Sequence, residues 1–168
     1  MAGWHAPLSF DDYVRSRYAE LLRFAHVLTG DSYLADDLVQ EALERTGVAW
    51  RRIRRQDDPE GYVRRIIVNR FLTVSRSRRR EQLVADVPER GRHLDGEPRD
   101  ETLWRLVATL PRQQRAVLVL RFFLDMSESQ VADVLGCSLG TVKSNGSRAM
   151  AKLRAALAAD PGVGSEVR

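Results

Sequence analysis

Residues 127–157, SESQVADVLGCSLGTVKSNGSRAMAKLRAAL, constrain this chain more than any other stretch, because they read as two helices around a tight turn, the second purely basic. Ser127 followed by Gln130 is a capping-box start for a short helix that carries Val131, Ala132 and Leu135. Gly136 stands where the chain must turn, with Cys137 and Ser138 in the bend, and Ser138 is placed to cap the next helix. At about 100° per residue, Val142, Gly146, Ala149, Leu153 and Leu157 share one face of that helix. Lys143, Ser144, Ser147, Arg148, Ala151 and Arg154 share the other. Between Ser138 and Ala159 stand four cations (Lys143, Arg148, Lys152, Arg154) and no carboxylate. A cationic helix face of small, donor-rich side chains suits phosphates and major-groove base edges. A merely solvated face would explain the charges but not the Ala132, Gly136 and Val142 spacing of a helix-turn-helix core.

The rest of the chain predicts an all-α protein. Ser9 caps a helix through Phe10, Val14, Leu21, Ala25 and Leu28 that closes at Gly30; Asp31 opens a second, to about Ile53. Asp58-Pro59, an aspartate cap with proline at the first helical position, opens a third to about Arg80. Further helices are expected over 101–110 and 112–123. From Glu81 to Glu101, seven acidic residues face only Arg90, Arg92 and Arg99, among Pro88, Gly91, Gly96 and Pro98, which reads as an extended linker. The expected organisation is two small helical domains, 8–80 and 101–158, joined by an acidic tether over 81–100. Roughly 20 extended residues reach up to ~65 Å, close to two turns of B-form DNA. The tether is either an inert solvated connector or an acidic strand able to lie in a basic channel.

Two other helices bear on function. On the second, Leu34, Ala35, Leu38, Ala42 and Ala49 point inward, while Asp36, Asp37, Gln40, Glu41 and Glu44 gather outside. That face is either a solvated surface or a protein-docking ridge, since it would repel DNA. On the third, residues 62–80 hold seven arginines and no acid. Val63, Ile66, Ile67, Phe71 and Val74 form its buried face, and Tyr62, Arg65, Asn69, Thr73 and Arg76 a second stripe. An aromatic ring, an amide and guanidinium groups together suit unstacked bases as well as phosphates. The RSRRR cluster at its end says little by itself, because cations favour any helix C-terminus.

Composition agrees with a polyanionic partner: 27 Lys+Arg against 23 Asp+Glu, with a sequence pI near 9.7. Only Lys143 and Lys152 are lysines, which suits bidentate phosphate contacts or equally reflects a GC-rich genome. Cys137 has no partner for an internal disulfide, no long apolar run or signal-peptide pattern is present, and the expectation is a cytoplasmic protein. His5, His26 and His93 are scattered and no glycine-rich phosphate loop occurs, so neither an enzyme nor a cofactor or metal site is expected.

Taken together, these features resemble a bacterial RNA polymerase sigma factor, more narrowly the two-domain, extracytoplasmic-function group of the sigma-70 family. The matching segments are ADDLVQEAL at 35–43, GYVRRIIVNRFLTVSRSRRR at 61–80, LPRQQRAVLVLRFF at 110–123 and SQVADVLGCSLGTVKS at 129–144, in family order. The resemblance implies an alternative sigma factor that binds core RNA polymerase and directs it to −35 and −10 promoter elements, helping to melt the latter. It implies that Asp37, Gln40, Glu41 and Glu44 grip the β′ clamp helices. Tyr62, Arg65, Asn69, Arg70, Thr73 and Arg76 would meet the −10 element, and the Arg54–Gly61 loop would accept an extruded base. Ser138, Thr141, Lys143, Ser144, Ser147 and Arg148 would read the −35 element, and the second domain would also touch the β flap. An anti-sigma factor is a further expected partner. Asn145 and Gly146 depart from the bulkier or better helix formers frequent at those places, and Gly146 would allow a close helix contact. The competing reading is an autonomous helix-turn-helix regulator with an N-terminal sensor or dimerisation domain, which leaves the seven arginines of one helix without a purpose.

Overall fold

The computed structural model describes residues 9–53, 58–81 and 101–159, with backbone alone at 75–81 and 101. Residues 1–8, most of the expected tether (82–100), part of the 54–61 loop (54–57) and residues 160–168 lie outside that description. The fold is all-α. Helix α1 (Phe10–Thr29) starts where the Ser9 hydroxyl oxygen accepts the Asp12 N–H at 3.1 Å and ends at Gly30, left-handed with φ 68°. Helix α2 (Ser32–Ile53) is capped by Asp31, whose Oδ1 accepts the Leu34 N–H at 3.1 Å. Helix α3 (Pro59–Glu81) is capped by Asp58, whose Oδ1 accepts the Gly61 N–H at 2.8 Å. These caps satisfy amide groups that a first helical turn leaves unpaired, so the boundaries follow from local chemistry.

The three helices close on Tyr13, Leu21, Phe24 and Leu28 of α1, Leu38, Val39 and Trp50 of α2, and Val63, Ile67 and Phe71 of α3, all buried. Trp50 fills the far end, its ring 5.5 Å from Phe10 and 5.2 Å from Tyr13 between centroids. The faces expected of α2 and α3 are largely the observed ones: Asp36, Asp37, Gln40 and Glu44 are exposed and Leu34, Ala35, Leu38 and Ala42 buried. Glu41 and Ala49 of α2 and Ile66 and Val74 of α3 are only half-buried, and Val68, outside the expected face, is fully buried.

Helix α4 (Glu101–Ala108) stops two residues before its expected end. Pro111 disfavours helical geometry at Leu110, and the chain tightens through i→i−3 bonds from Thr109 to Leu106 and from Leu110 to Val107. Helix α5 (Arg112–Leu118) passes into a π-helical turn, Val119–Phe123, where a continuous α-helix was expected. The Leu124 N–H reaches Val119 O at 3.2 Å, and the Arg121 guanidinium donates to Met126 O at 2.6 Å, tying down the end of the wide turn. Its altered register sets Phe123 edge-on to Trp104, 5.7 Å between centroids, and leaves Phe122 64% exposed. Periodicity at 3.6 residues does not reveal this, because a π turn breaks that period and one of its contacts, Phe123 on Trp104, lies 19 residues away.

Helices α6 (Glu128–Leu135) and α7 (Leu139–Ala159) form the helix-turn-helix. The Ser127–Gln130 capping box is complete on both sides. Gly136 adopts φ 62°, which a residue with a Cβ takes only at a cost, and this sharp turn fixes the angle between the two helices. Val131, Val134, Val142, Ala149 and Leu153 join Ala116, Val117 and Leu120 in a core that is continuous with that of α1–α3. Gly146 does not make a close approach necessary: a Cβ there would lie 3.6 Å from Val117 Cγ1, an ordinary contact. The two groups of helices touch, with α4 and α5 against α1 and α3, and α6 against α3.

Candidate nucleic-acid interface

Three surfaces carry the chemistry. On α7, Lys143, Ser144, Ser147, Arg148, Ala151 and Arg154 are all exposed, opposite the buried Val142, Ala149 and Leu153. The Ser138 hydroxyl accepts the Thr141 N–H at 3.1 Å and lies 2.9 Å from the Thr141 hydroxyl, so these two candidates also build the helix start. Such an N-terminus directs unpaired amides and the positive end of the helix dipole outward, which favours phosphate. Lys143 meets Glu128 Oε2 only at 4.0 Å, a loose exposed pair that leaves its charge available.

On α3, Arg65, Asn69 and Thr73 are exposed and Tyr62 is half-buried, one continuous stripe. The Thr73 hydroxyl donates to Asn69 O at 2.7 Å. Arg70 is engaged elsewhere: its Nε donates to Glu41 Oε2 at 2.8 Å, and Glu41 also pairs with Arg45 at 2.6 Å. Arg64 pairs with Glu60 at 2.5 Å, and Glu60 stands 3.7 Å from Arg17. Of the −10 candidates, Arg70 therefore ties α3 to α2, while Arg64, one of the seven arginines but outside that set, pairs within α3. The Arg76 side chain lies outside the described residues.

On α2, Asp37, Gln40 and Glu44 are exposed and Glu41 is half-buried in its two pairs. Gln40 Nε2 lies 3.4 Å from the Tyr18 hydroxyl. The ridge continues into Val48, an apolar side chain left 93% exposed. Apolar surface beside acids suits a protein partner better than a polyanion.

Sequence pattern missed two features. A groove of about 340 Å³ runs between the π turn and α7, lined by Val117, Phe122 and Met150 with Arg121, Lys143 and Arg154 at its rim. Arg115 is the second: burial, and after it the neighbouring Arg112 charge, push its guanidinium down to about 10, so it remains a cation at physiological pH. The available signal was an arginine directly before the apolar run Ala116–Leu120, where a charge needs specific acceptors.

Comparison with known proteins agrees with this layout. Residues 13–81 match the family model for sigma-70 region 2, and residues 100–153 the model for sigma-70, region 4. The chain is 37% identical over 161 residues to the RNA polymerase sigma-E factor of Streptomyces coelicolor, covering 90% of this chain and 88% of that one. It is 32% identical to the ECF RNA polymerase sigma factor EcfG of Rhodopseudomonas palustris over 90% of this chain and 87% of the relative. Among solved structures it is similar to the sigma factor RpoE of Bartonella quintana, determined with the anti-sigma factor NepR (TM-score 0.73, 25% identity, 90% of this chain and 98% of that one). It is also similar to CnrH, determined with the cytosolic domain of CnrY (TM-score 0.61, 26% identity, 90% and 88%). An exposed cationic helix, a second helix with an amide, hydroxyl and guanidinium stripe, an acidic ridge and these likenesses lead to one conclusion: the chain belongs to the sigma-70 family, in its extracytoplasmic-function group, and is an alternative sigma factor that directs transcription initiation.

Proposed function

We propose that residues 8–80 serve core-polymerase binding and −10 recognition, that residues 101–158 serve −35 recognition, and that 81–100 join them. Asp37, Gln40, Glu41 and Glu44 grip the β′ clamp helices. Tyr62, Arg65, Asn69 and Thr73 receive the −10 bases, with Arg70 and Arg76 beside them. Ser138, Thr141, Lys143, Ser144, Ser147 and Arg148 read the −35 duplex. The groove beside Phe122 takes the β flap, and the protein acts in the cytoplasm without catalysis of its own. An anti-sigma factor is a further partner, in keeping with the complex in which the similar RpoE was determined.

The observation that carries this reading is the separation of charge: exposed acids on α2, exposed cations on α7, and a mixed amide, hydroxyl and aromatic stripe on α3. Phosphate contacts supply affinity and base contacts supply choice, so a factor that reads two elements while bound to a large enzyme needs these surfaces apart. The test is a pull-down with core enzyme followed by transcription in vitro. Glu44→Arg is expected to weaken core binding by about tenfold with unchanged helicity. Normal core binding and transcription from that charge reversal would refute the docking assignment.

A further inference from the structure

Cations in the second group of helices fall into two sets. At the junction with the first group, Arg112 donates from Nη1 to Phe71 O at 2.7 Å, its guanidinium 4.8 Å from the ring centroid. Arg115 donates to Leu28 O and Thr29 O, both at 3.3 Å, and to Ala108 O, carbonyls at the ends of α1 and α4. Those two charges are engaged by backbone. The cations of α7 stay exposed, and beside them stands a side chain with nothing to offer a phosphate: Leu139, 44% exposed.

The turn puts it there. Ser138 accepts the Thr141 N–H at 3.1 Å, and Leu139 is the first residue of the helix that this cap begins. It is absent from the core that Val142, Ala149 and Leu153 join. Four-residue spacing sets Leu139, Lys143 and Ser147 in one stripe, all exposed, so the leucine opens a row that continues in two of the −35 candidates. Gly140 follows, and a Cβ there would have the Ser138 hydroxyl oxygen at 3.8 Å and nothing nearer, so no bulk crowds the leucine.

Tyr33 and Val48, exposed on α2, border its acids, and Phe122 borders the groove; apolar groups in those places suit protein partners. Leu139 instead lies among hydroxyls and cations on the surface that faces a polyanion. Recognition helices turn their first residues toward base edges. In the major groove most of a base edge is donors and acceptors, which a leucine would cover without pairing; the apolar exception is the C5-methyl group of thymine.

We infer that Leu139 is a specificity-determining residue of the −35 surface, packing its side chain on the C5-methyl group of a thymine. The inference rests on the assignment of α7 to the −35 duplex, and adds an apolar contact to a set of charged and hydrogen-bonding ones.

The test uses holoenzyme assembled from core RNA polymerase and the full chain, on a promoter that it selects from a pool randomised over the −35 region. Each thymine of the selected element, on either strand, is replaced in turn by deoxyuridine, which pairs identically and lacks only the methyl group. One replacement is expected to weaken binding about threefold to fourfold, the effect of uncovering one buried methyl group. With Leu139→Ala that replacement is expected to have no effect, while replacements elsewhere keep theirs. Leu139→Gln, closer to leucine in size, is expected to behave in the same way. The salt dependence of binding should be equal for all three chains, since no phosphate contact is lost. A deoxyuridine penalty that persists in both variants overturns the inference. So does a selected element without a methyl-sensitive thymine, or a salt slope that falls in the variants. Wild-type holoenzyme with no base preference in the −35 region overturns the assignment of α7 itself. A preference that is kept but shows no coupling between Leu139 and any methyl group overturns the thymine contact alone.

Discussion

Helices α3 and α7 both look like cationic rods in the sequence, and the structure uses their charge in different ways. On α7, Lys143, Arg148, Lys152 and Arg154 are all exposed, and the ion pair that reaches them is the 4.0 Å approach of Glu128 to Lys143. On α3, Arg64 and Arg70 are held by Glu60 and Glu41, which leaves Arg65 exposed beside Asn69 and Thr73. The first helix offers charge to phosphates. The second uses part of its charge to join three helices and presents groups suited to bases. Counting arginines would rank α3 as the stronger polyanion ligand; their partners reverse that order.

The sharpest way to break the contrast is at Phe71, on the face of α3 opposite its exposed Asn69 and Thr73. Phe71→Ala is expected to cost about 3–5 kcal/mol in denaturant unfolding, since the ring is buried under two guanidinium groups and the α1–α2 core. A loss below ~1 kcal/mol would show that the junction repacks without it. Next comes Arg148→Ala, expected to weaken holoenzyme binding at the −35 element by about 1–3 kcal/mol if it reads a base edge. In a salt titration the slope falls by about one if the lost contact is to phosphate instead. Thermal unfolding should not move, and a drop in Tm would place Arg148 in the fold.

A paired comparison on α3 gives a smaller effect. Arg70→Ala is expected to lower stability by up to ~1 kcal/mol, because it removes one arm of the half-exposed Glu41 bridge. Arg65→Ala is expected to leave stability alone and to weaken −10 engagement. If both variants lose promoter binding equally and neither loses stability, the division of labour among these arginines is wrong. The smallest change expected is at Gly146, where Ala should stabilise the chain by about 0.5–1 kcal/mol, since ordinary space is available and the helix there is regular. Destabilisation would mean that the 3.6 Å to Val117 cannot accommodate a methyl group.

Much of the fold was legible because its signals are local. Ser9, Asp31, Asp58, Ser127 and Ser138 each cap the helix that follows, through hydroxyl or carboxylate oxygens bonded to amides within three residues. The two faces of α7 followed equally from spacing, as Val142, Ala149 and Leu153 are buried and Lys143 and Arg148 exposed. The candidate site was legible where its residues share one helix. It was not legible where a side chain answers to a distant one: Glu41 and Arg70 are 29 residues apart, and nothing in either segment announces the pair. The π turn was invisible for the same reason, since its Phe123 packs edge-on against Trp104, 19 residues earlier.

By itself the sequence determined the all-α class, the capped helix starts, most of the buried stripes and the cationic face of α7, because backbone capping and amphipathic spacing act over a few residues. Only the tertiary structure decided which arginines are free, that α5 gives way to a wider turn, and that Arg112 and Arg115 bring the two groups of helices together over Phe71. Carbonyls at two helix ends and one ring can meet a guanidinium only after the chain has folded, and sequence spacing does not encode that meeting.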